Sequence, residues 1–551
     1  MFFRSYSKLS ALARPEALPA PRAPGSLREW AQTGAQLAMS RDLPGMRLSE
    51  RLADPAAYLR LQRARRQALE ALLVVEPEGA VVERATDLIC MIAEESTWSK
   101  NAGGAVFDDE RHPEIDFQCA ETAALFAWTA RGLGERLDSR ASGKLLYEVR
   151  RRVFAPFLAH ADYPFMRGRG GRPLAILCDI LLSALLLESD DARRNALLKQ
   201  GLRLMDQAVA ARDSRIEPLA EQAAETGAVT DLCLLLRRAT RGEVDLTEVY
   251  PAPDWLDALL FSWLEGDYFA DPATRDMRPP VSGQELFRIG LATGDEALTA
   301  LGAGRHRSQR LPSATLTGRI LDMSCASMLD AEAGKPPRVK HAATAHNRLM
   351  LSRFNGMTCA VHTGARRGNA GNLILFAEKQ PILVEIPECA NLPSIGAYAQ
   401  ISGPDAFEGS AAFDADACPA DFEVQPDREL MSVDLTQAYP VDAAVRTCQR
   451  TAMVLRREAV LRIVDAFDLA QPAPITFHFV TPEKPERLMN GLRLGPVDLT
   501  WEGGLRADIA PMNLRFPAGD AAGKALYRIA LKTAEPVSRG FFAFSFTPTQ
   551  A

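Results

Sequence analysis

The 551-residue chain has no uninterrupted apolar run of membrane-spanning length. Its longest candidate, residues 173–187, carries Asp179 and is too short to cross a bilayer, so no membrane partner is expected. An excess of positive charge is also missing. There are 64 Lys and Arg against 70 Asp and Glu, a formal net charge of −6. Proteins that neutralise nucleic-acid phosphates are usually basic, so no nucleic-acid partner is expected either. The nine cysteines, at 90, 119, 178, 233, 325, 359, 389, 418 and 448, are odd in number and form no CxxC pair. They read as small buried hydrophobes in a reducing compartment rather than as a disulfide framework or a thiolate metal site. Neither a Gly-x-Ser-x-Gly elbow nor a complete phosphate-binding loop occurs, which removes support for those hydrolase and nucleotide-binding classes. The opening MFFRSYSKLSALARPEALPAPRAP lacks an apolar stretch of signal length. A cytoplasmic location is therefore expected, with residues 1–25 as a loosely ordered, Pro- and Arg-rich arm.

What is present is an ordinary globular composition, 47% hydrophobic and 24% charged, in a chain too long for one ordinary domain. Apolar residues recur at three- and four-residue spacings over 80–94, 120–133 and 143–159, and over 223–240, 254–264 and 284–301. The segment 173–187 is apolar almost all round, as an inner helix would be. Repeated helix pairs over about 250 residues point to a helical toroid or solenoid. Beyond the polar stretch GAGRHRSQRLP at 302–312 the period changes from 3.6 to 2. NLILF at 372–376 and PILVEI at 381–386 form a candidate hairpin, and 459–464, 475–480, 527–531 and 542–546 read as further strands. The expected fold class is α + β multidomain: an N-terminal (α/α) helical toroid over 26–302, a linker at 303–312, and an antiparallel β-sandwich over 313–551.

Four colinear stretches resemble the heparinase II/III family of polysaccharide lyases. They are EESTWSKNAG…DFQCAETAALFAWTARGLGERLD at 94–138, RVFAPFLAHADYPFM…LLLE at 152–188, GMTCAVHTG…GNAGNLILFAEKQPILVEI at 356–386, and NLPSIGAYAQ at 391–400 with LTQAYPVDAAVRTCQR at 435–450. The resemblance implies the same toroid-plus-sandwich architecture and a reaction, β-elimination across a uronate. That reaction needs a base at C5, an acid at the leaving oxygen and donors that neutralise the carboxylate. It also implies an acidic oligosaccharide or polysaccharide as partner, held in an inter-domain groove.

The departures from the family pattern carry as much information. No histidine follows Trp98 in WSKNAGG, and the stretch Arg172 to Asp179, part of a hydrophobic inner helix without asparagine, replaces an asparagine cluster. The stretch 216–231 lacks the family's tyrosine, and the family's HNHND reads Ala365-Arg366-Arg367-Gly368-Asn369. Arginine has no lone pair to give a cation, so neither a metal nor another cofactor is expected. The expected function is binding of a uronate or sulfated oligosaccharide with weak or no β-elimination. The resemblance implies Trp98, Glu121, His362, Arg366, Arg367, Asn369, Asn391 and Gln400 as substrate-binding residues. No standard catalytic residue is identified; His112 and Tyr163 are the substitutes at hand. Two alternatives stand beside this reading: an active lyase working through such substitutes, and a structural or protein-interaction role. Asp108, Asp109, Glu110 and Glu114 do not have the spacing of a calcium loop and read as a solvated acidic loop. Asp116 reads as a helix entry. The sugar, the linkage and the oligomeric state are not legible.

Overall fold

The computed structural model describes residues 2–100, 107–168, 171–212, 217–271, 273–308, 312–331, 338–344, 348–363, 369–401 and 418–549. Helix accounts for 46% and strand for 25% of the chain, and the helices precede most of the strands. The chain divides into two compact units that interleave in sequence. The first comprises Met1–Arg212, Glu221–Pro253 and Val281–Pro336; the second comprises Asp213–Ala220, Asp254–Pro280 and Pro337–Ala551. No helix among the described residues is long and apolar enough to cross a membrane.

The first unit is helical. Its inner elements, Phe117–Leu133 and Pro173–Leu187, pack against each other; the second is buried along most of its length, as its all-round apolar sequence predicts, and the first along its middle. Asp116 caps the first of these, accepting from Cys119 N at 2.8 Å. The expected helix at 143–159 is instead Ser139–Val149, a π-turn at Arg150–Phe154, and Ala155–Ala159.

Two boundaries differ from the sequence expectation. The arm at 1–25 is built into the helical unit: Phe2–Ser5 and Tyr6–Leu12 are helical, and Phe2 is fully buried and stacked on Tyr250 at 4.5 Å. Asp206 accepts from the Phe2 and Phe3 amides, so an apolar anchor and a carboxylate hold what its Pro/Arg content would leave loose. The linker at 303–312 overlaps a helix, Glu296–Ser308, and another helix, Leu316–Ala331, lies beyond it. The expected helix over 284–301 is two, Gly283–Thr293 and Glu296–Ser308, parted by Gly294 at φ 72°. Gly302, the first residue of the polar stretch, is where these helices meet: a Cβ there would lie 2.3 Å from Phe287 N. Its missing side chain permits the contact. Residues 263 and 264, expected to end a helix, belong instead to a short strand, Trp263–Glu265, paired with Tyr268–Phe269.

The second unit is antiparallel β. An eight-stranded sheet has the order Glu486–Leu488, Gly491–Leu494, Val497–Trp501, Val537–Pro548, Val460–Ala473, Val445–Leu455, Arg428–Asp434, Ala420–Val424. A four-stranded sheet is ordered Leu505–Arg515, Ala525–Thr533, Ile475–Thr481, Pro393–Ile395. Aromatic pairs such as Phe477–Phe544, with centroids 4.9 Å apart, fill the core they share. A third sheet is a five-stranded meander, His341–Thr344, Leu349–Phe354, Met357–His362, Leu373–Ala377, Gln380–Leu383. Cys359, Val361, Leu373 and Leu375 enter that core, whereas Ala360, Ile374 and Phe376 enter a second one with Val480 and Leu526. Burial on both faces explains why NLILF reads as continuously apolar. The hairpin turns through Glu378 and Lys379, at φ 50° and 66°, the left-handed pair that a two-residue turn requires.

Candidate functional site

Three polar clusters hold the chemistry-bearing side chains, one in the second unit and two in the first. In the second unit the end of Met357–His362 and the start of Leu373–Ala377 bring His362, Asn369, Asn372, Glu385, Asn391 and Arg450 together. Asn369 Nδ2 donates to His362 Nδ1 at 3.1 Å, which assigns the imidazole proton to Nε2, 3.2 Å from Glu385 Oε1. Those two atoms are close but misaligned, and neither has a hydrogen-bond partner among the described residues. Asn372 Nδ2 donates to Glu385 Oε2 at 2.7 Å.

Asn391 ties three segments together through its amide. Its Nδ2 donates to the Leu373 and Val384 carbonyls, and its Oδ1 accepts from Val480 N. Arg450 pairs bidentately with Asp465 at 2.7 Å and donates to the Gly371 and Asn391 carbonyls. Tyr439 donates to the Pro393 carbonyl at 2.8 Å, and Gln400 to the Ala370 carbonyl. The residues shared with the lyase signature thus bond mainly to one another and to backbone.

This geometry reassigns several expected substrate-binding residues. His362, Asn369, Asn391 and Gln400 are all buried, and most of their polar atoms bond to protein groups; His362 Nε2 and Gln400 Oε1 have no partner among the described residues. In the first unit Trp98 has no exposed surface. Its Nε1 donates to the Ile92 carbonyl, Phe126 meets its ring edge-on at 5.3 Å, and Arg152 lies 5.0 Å over it. A sugar-stacking role for Trp98 is therefore replaced by packing. Arg366 and Arg367 lie outside the described residues.

The second cluster runs along the inner helices of the first unit. Arg319 forms a bidentate pair with Glu70, at 2.6 and 2.9 Å, and lies 3.7 Å from Glu121. Glu121 accepts from Leu316 N and keeps about a quarter of its side chain exposed, with burial pushing its carboxyl upward. Arg288 is held between Asp231 and Asp322, and Ser313 donates to Asp322 at 2.6 Å. Asp179 is the charge inside the apolar inner helix; its Oδ2 has no partner among the described residues. Burial, and then the neighbouring Glu121, push its carboxyl well above the ordinary range. A cavity of about 10 Å³, room for one water, is lined by Asp179, Asp231, Thr315 and Thr317 among others. The sequence signal for this cluster was a lone Asp interrupting PLAILCDILLSALLL.

The third cluster joins the loop before Phe117–Leu133 to the turn after Ala155–Ala159. His112 Nε2 lies 2.9 Å from Asp162 Oδ1, and its ring is 4.3 Å from that of His160 and 4.8 Å from that of Tyr163. The hydrogen bond to Asp162 pushes the His112 imidazole up from its ordinary value and Asp162 down. Tyr163 is buried, its hydroxyl donates to the Pro113 carbonyl at 2.7 Å, and burial pushes its pKa up. His112 and Tyr163, named independently from the sequence, are thus brought together. His160 and Asp162 were missed as their neighbours; the pattern His-x-Asp directly after a helix was the available signal. In the adjoining acidic loop Asp109 and Glu110 are exposed as expected, but Asp108 is paired with Arg152 at 2.7 Å.

No protein-family model matches the sequence, and no curated protein matches it. Solved structures do resemble it. The Streptomyces coelicolor A3 chondroitin AC lyase, in complex with chondroitin sulphate, aligns over 100% of this chain and 82% of its own, with 11% identity and a TM-score of 0.57. Heparinase III aligns over 89% of this chain and 76% of its own, with 11% identity and a TM-score of 0.56. A Paenibacillus xanthan lyase aligns over 100% of this chain and 59% of its own, with 8% identity and a TM-score of 0.52. At such identities the likeness is one of fold: the chain has a polysaccharide lyase-like fold, an α/α toroid with an antiparallel β-sandwich.

Proposed function

We propose that this chain binds an acidic, uronate- or sulfate-bearing oligosaccharide and eliminates across it weakly or not at all. The fold it shares with lyases, one of them solved with chondroitin sulphate, supports the ligand class. The observation that carries the second half is the state of the proton-handling side chains. Elimination needs a tyrosine or histidine free to exchange a proton with the sugar. Tyr163 has given its hydroxyl to a carbonyl and holds its proton more tightly than a free phenol; His362 is sealed from solvent between Asn369 and Glu385. Arg366 and Arg367 would clamp the sugar's anionic group, a task suited to the planar guanidinium fork.

One observation favours a second reading. His112 and Asp162 form an accessible imidazole–carboxylate pair, the kind of dyad a lyase with non-standard residues would use. Both readings are tested by presenting heparan sulfate, chondroitin sulfate, alginate and pectin. Retention on the immobilised glycan and ultraviolet absorbance of the unsaturated uronate product are then measured. The first reading expects salt-sensitive retention that weakens at least several-fold in Arg366→Ala/Arg367→Ala, with no absorbance. An absorbance signal abolished by His112→Ala replaces it with the second, and loss of retention on every acidic glycan removes both.

A further inference from the structure

We propose that His112, His160 and Asp162 form a site for a divalent transition-metal ion of the zinc class. One ligand atom from each side chain lies within 4.8 Å of the other two. Zinc bonds imidazole nitrogen and carboxylate oxygen at about 2.0–2.2 Å, which puts tetrahedral ligand atoms about 3.4 Å apart. The His112–Asp162 contact, at 2.9 Å, needs to open slightly and the longer separations need to close by at most about 1.4 Å. The side chains are free to do this: His112 and Asp162 are 37% and 62% exposed. In the ion-free site a proton bridges His112 and Asp162; an ion would take its place.

The donor set is the second argument. Two imidazoles and a carboxylate, without thiolate, suit zinc, nickel or cobalt, and three protein ligands leave a coordination position for water.

The third is the support behind the ligands. Tyr163 follows Asp162 in the chain, packs its ring on both imidazoles, and donates its hydroxyl to Pro113, the residue after His112. One buried side chain therefore fixes both segments that carry ligands, the outer-shell arrangement that holds metal sites in register. The His160 amide is bonded to the Pro156 carbonyl at the helix end, which sets where its ring begins. Bound there, the ion staples the loop around His112 to the turn at 160–163.

The site was not legible in the sequence because His112 and His160 lie 48 positions apart. The test uses the full chain stripped with a chelator and dialysed, titrated with Co²⁺ by visible absorption and with Zn²⁺ by calorimetry. Saturation at a single ion per chain is expected, with Zn²⁺ displacing Co²⁺. His112→Ala, His160→Ala and Asp162→Ala should each weaken binding by about 10-fold or more. As a second readout, Zn²⁺ should slow tryptic cleavage after the exposed Arg111 in the parent chain and leave the rate unchanged in the variants. Absence of saturable binding, or binding and protection that survive all three substitutions, overturns the proposal.

Discussion

The His362 network of the β unit and the His112 cluster of the helical unit use the same side chains, histidine beside a carboxylate, in opposite solvents. His362 and Glu385 have no exposed surface, and every neighbour that orients them is itself bonded to backbone or to a buried partner. His112 and Asp162 are open to solvent in part, with the rings of Tyr163 and His160 against the His112 imidazole. The difference teaches where chemistry is available. A buried network stabilises where its polar groups are matched, and the atoms this one leaves unmatched, His362 Nε2 and Glu385 Oε1, are sealed from solvent. An exposed pair contributes little to stability but can exchange its partner for a proton, an ion or a substrate.

The largest effect that would sharpen this contrast belongs to Arg450. Replacing it with Ala strands Asp465, buried at 2% exposure, without its bidentate partner. Urea denaturation should show a loss of about 3–5 kcal/mol. A loss below about 1 kcal/mol would mean that the network is not what holds the 369–391 segment in place.

A third histidine gives the intermediate case. His478 is partly buried between Arg528 and Lys532, and burial together with their repulsion pushes its pKa down to about 4. Unfolded, it takes up a proton near pH 6.5; folded, it resists until about pH 4, so stability falls as the pH drops through that window. The cost reaches about 3 kcal/mol at most, and His478→Gln should lose correspondingly less between pH 7 and pH 4.5 in the same denaturation assay. Equal losses in the two proteins would break the argument.

The smallest effect is expected at the exposed end. Asp162→Asn should leave the melting temperature of the metal-free chain unchanged while lowering the His112 pKa, read by NMR titration of the imidazole. A melting shift rivalling that of Arg450→Ala would erase the distinction between the two regions.

Strands such as Ile475–Thr481 and Ala525–Thr533 were legible because their β-rich sequences coincide with one buried face and one wetter face. NLILF was legible as a strand, but not the reason for its apolarity, which is burial on two sides. The boundary at 303–312 was misread because glycine marks both turns and close helix contacts, and only the partner helix distinguishes them. The site was legible in part. His112 and Tyr163 could be named as proton-handling residue types, yet nothing local predicts that Tyr163 spends its hydroxyl on Pro113. Trp98 and Asn391 could be named as signature residues, but whether such a residue faces a sugar or a core depends on burial.

By itself the sequence determined the order of helical and β segments and the faces they bury. These follow from periodicity and residue type, which act over a few positions. Which polar groups were consumed by the fold and which remained open to solvent was decided only by tertiary structure. That outcome turns on desolvation and on partners tens or hundreds of residues away, as with Phe2 on Tyr250 and His112 beside His160.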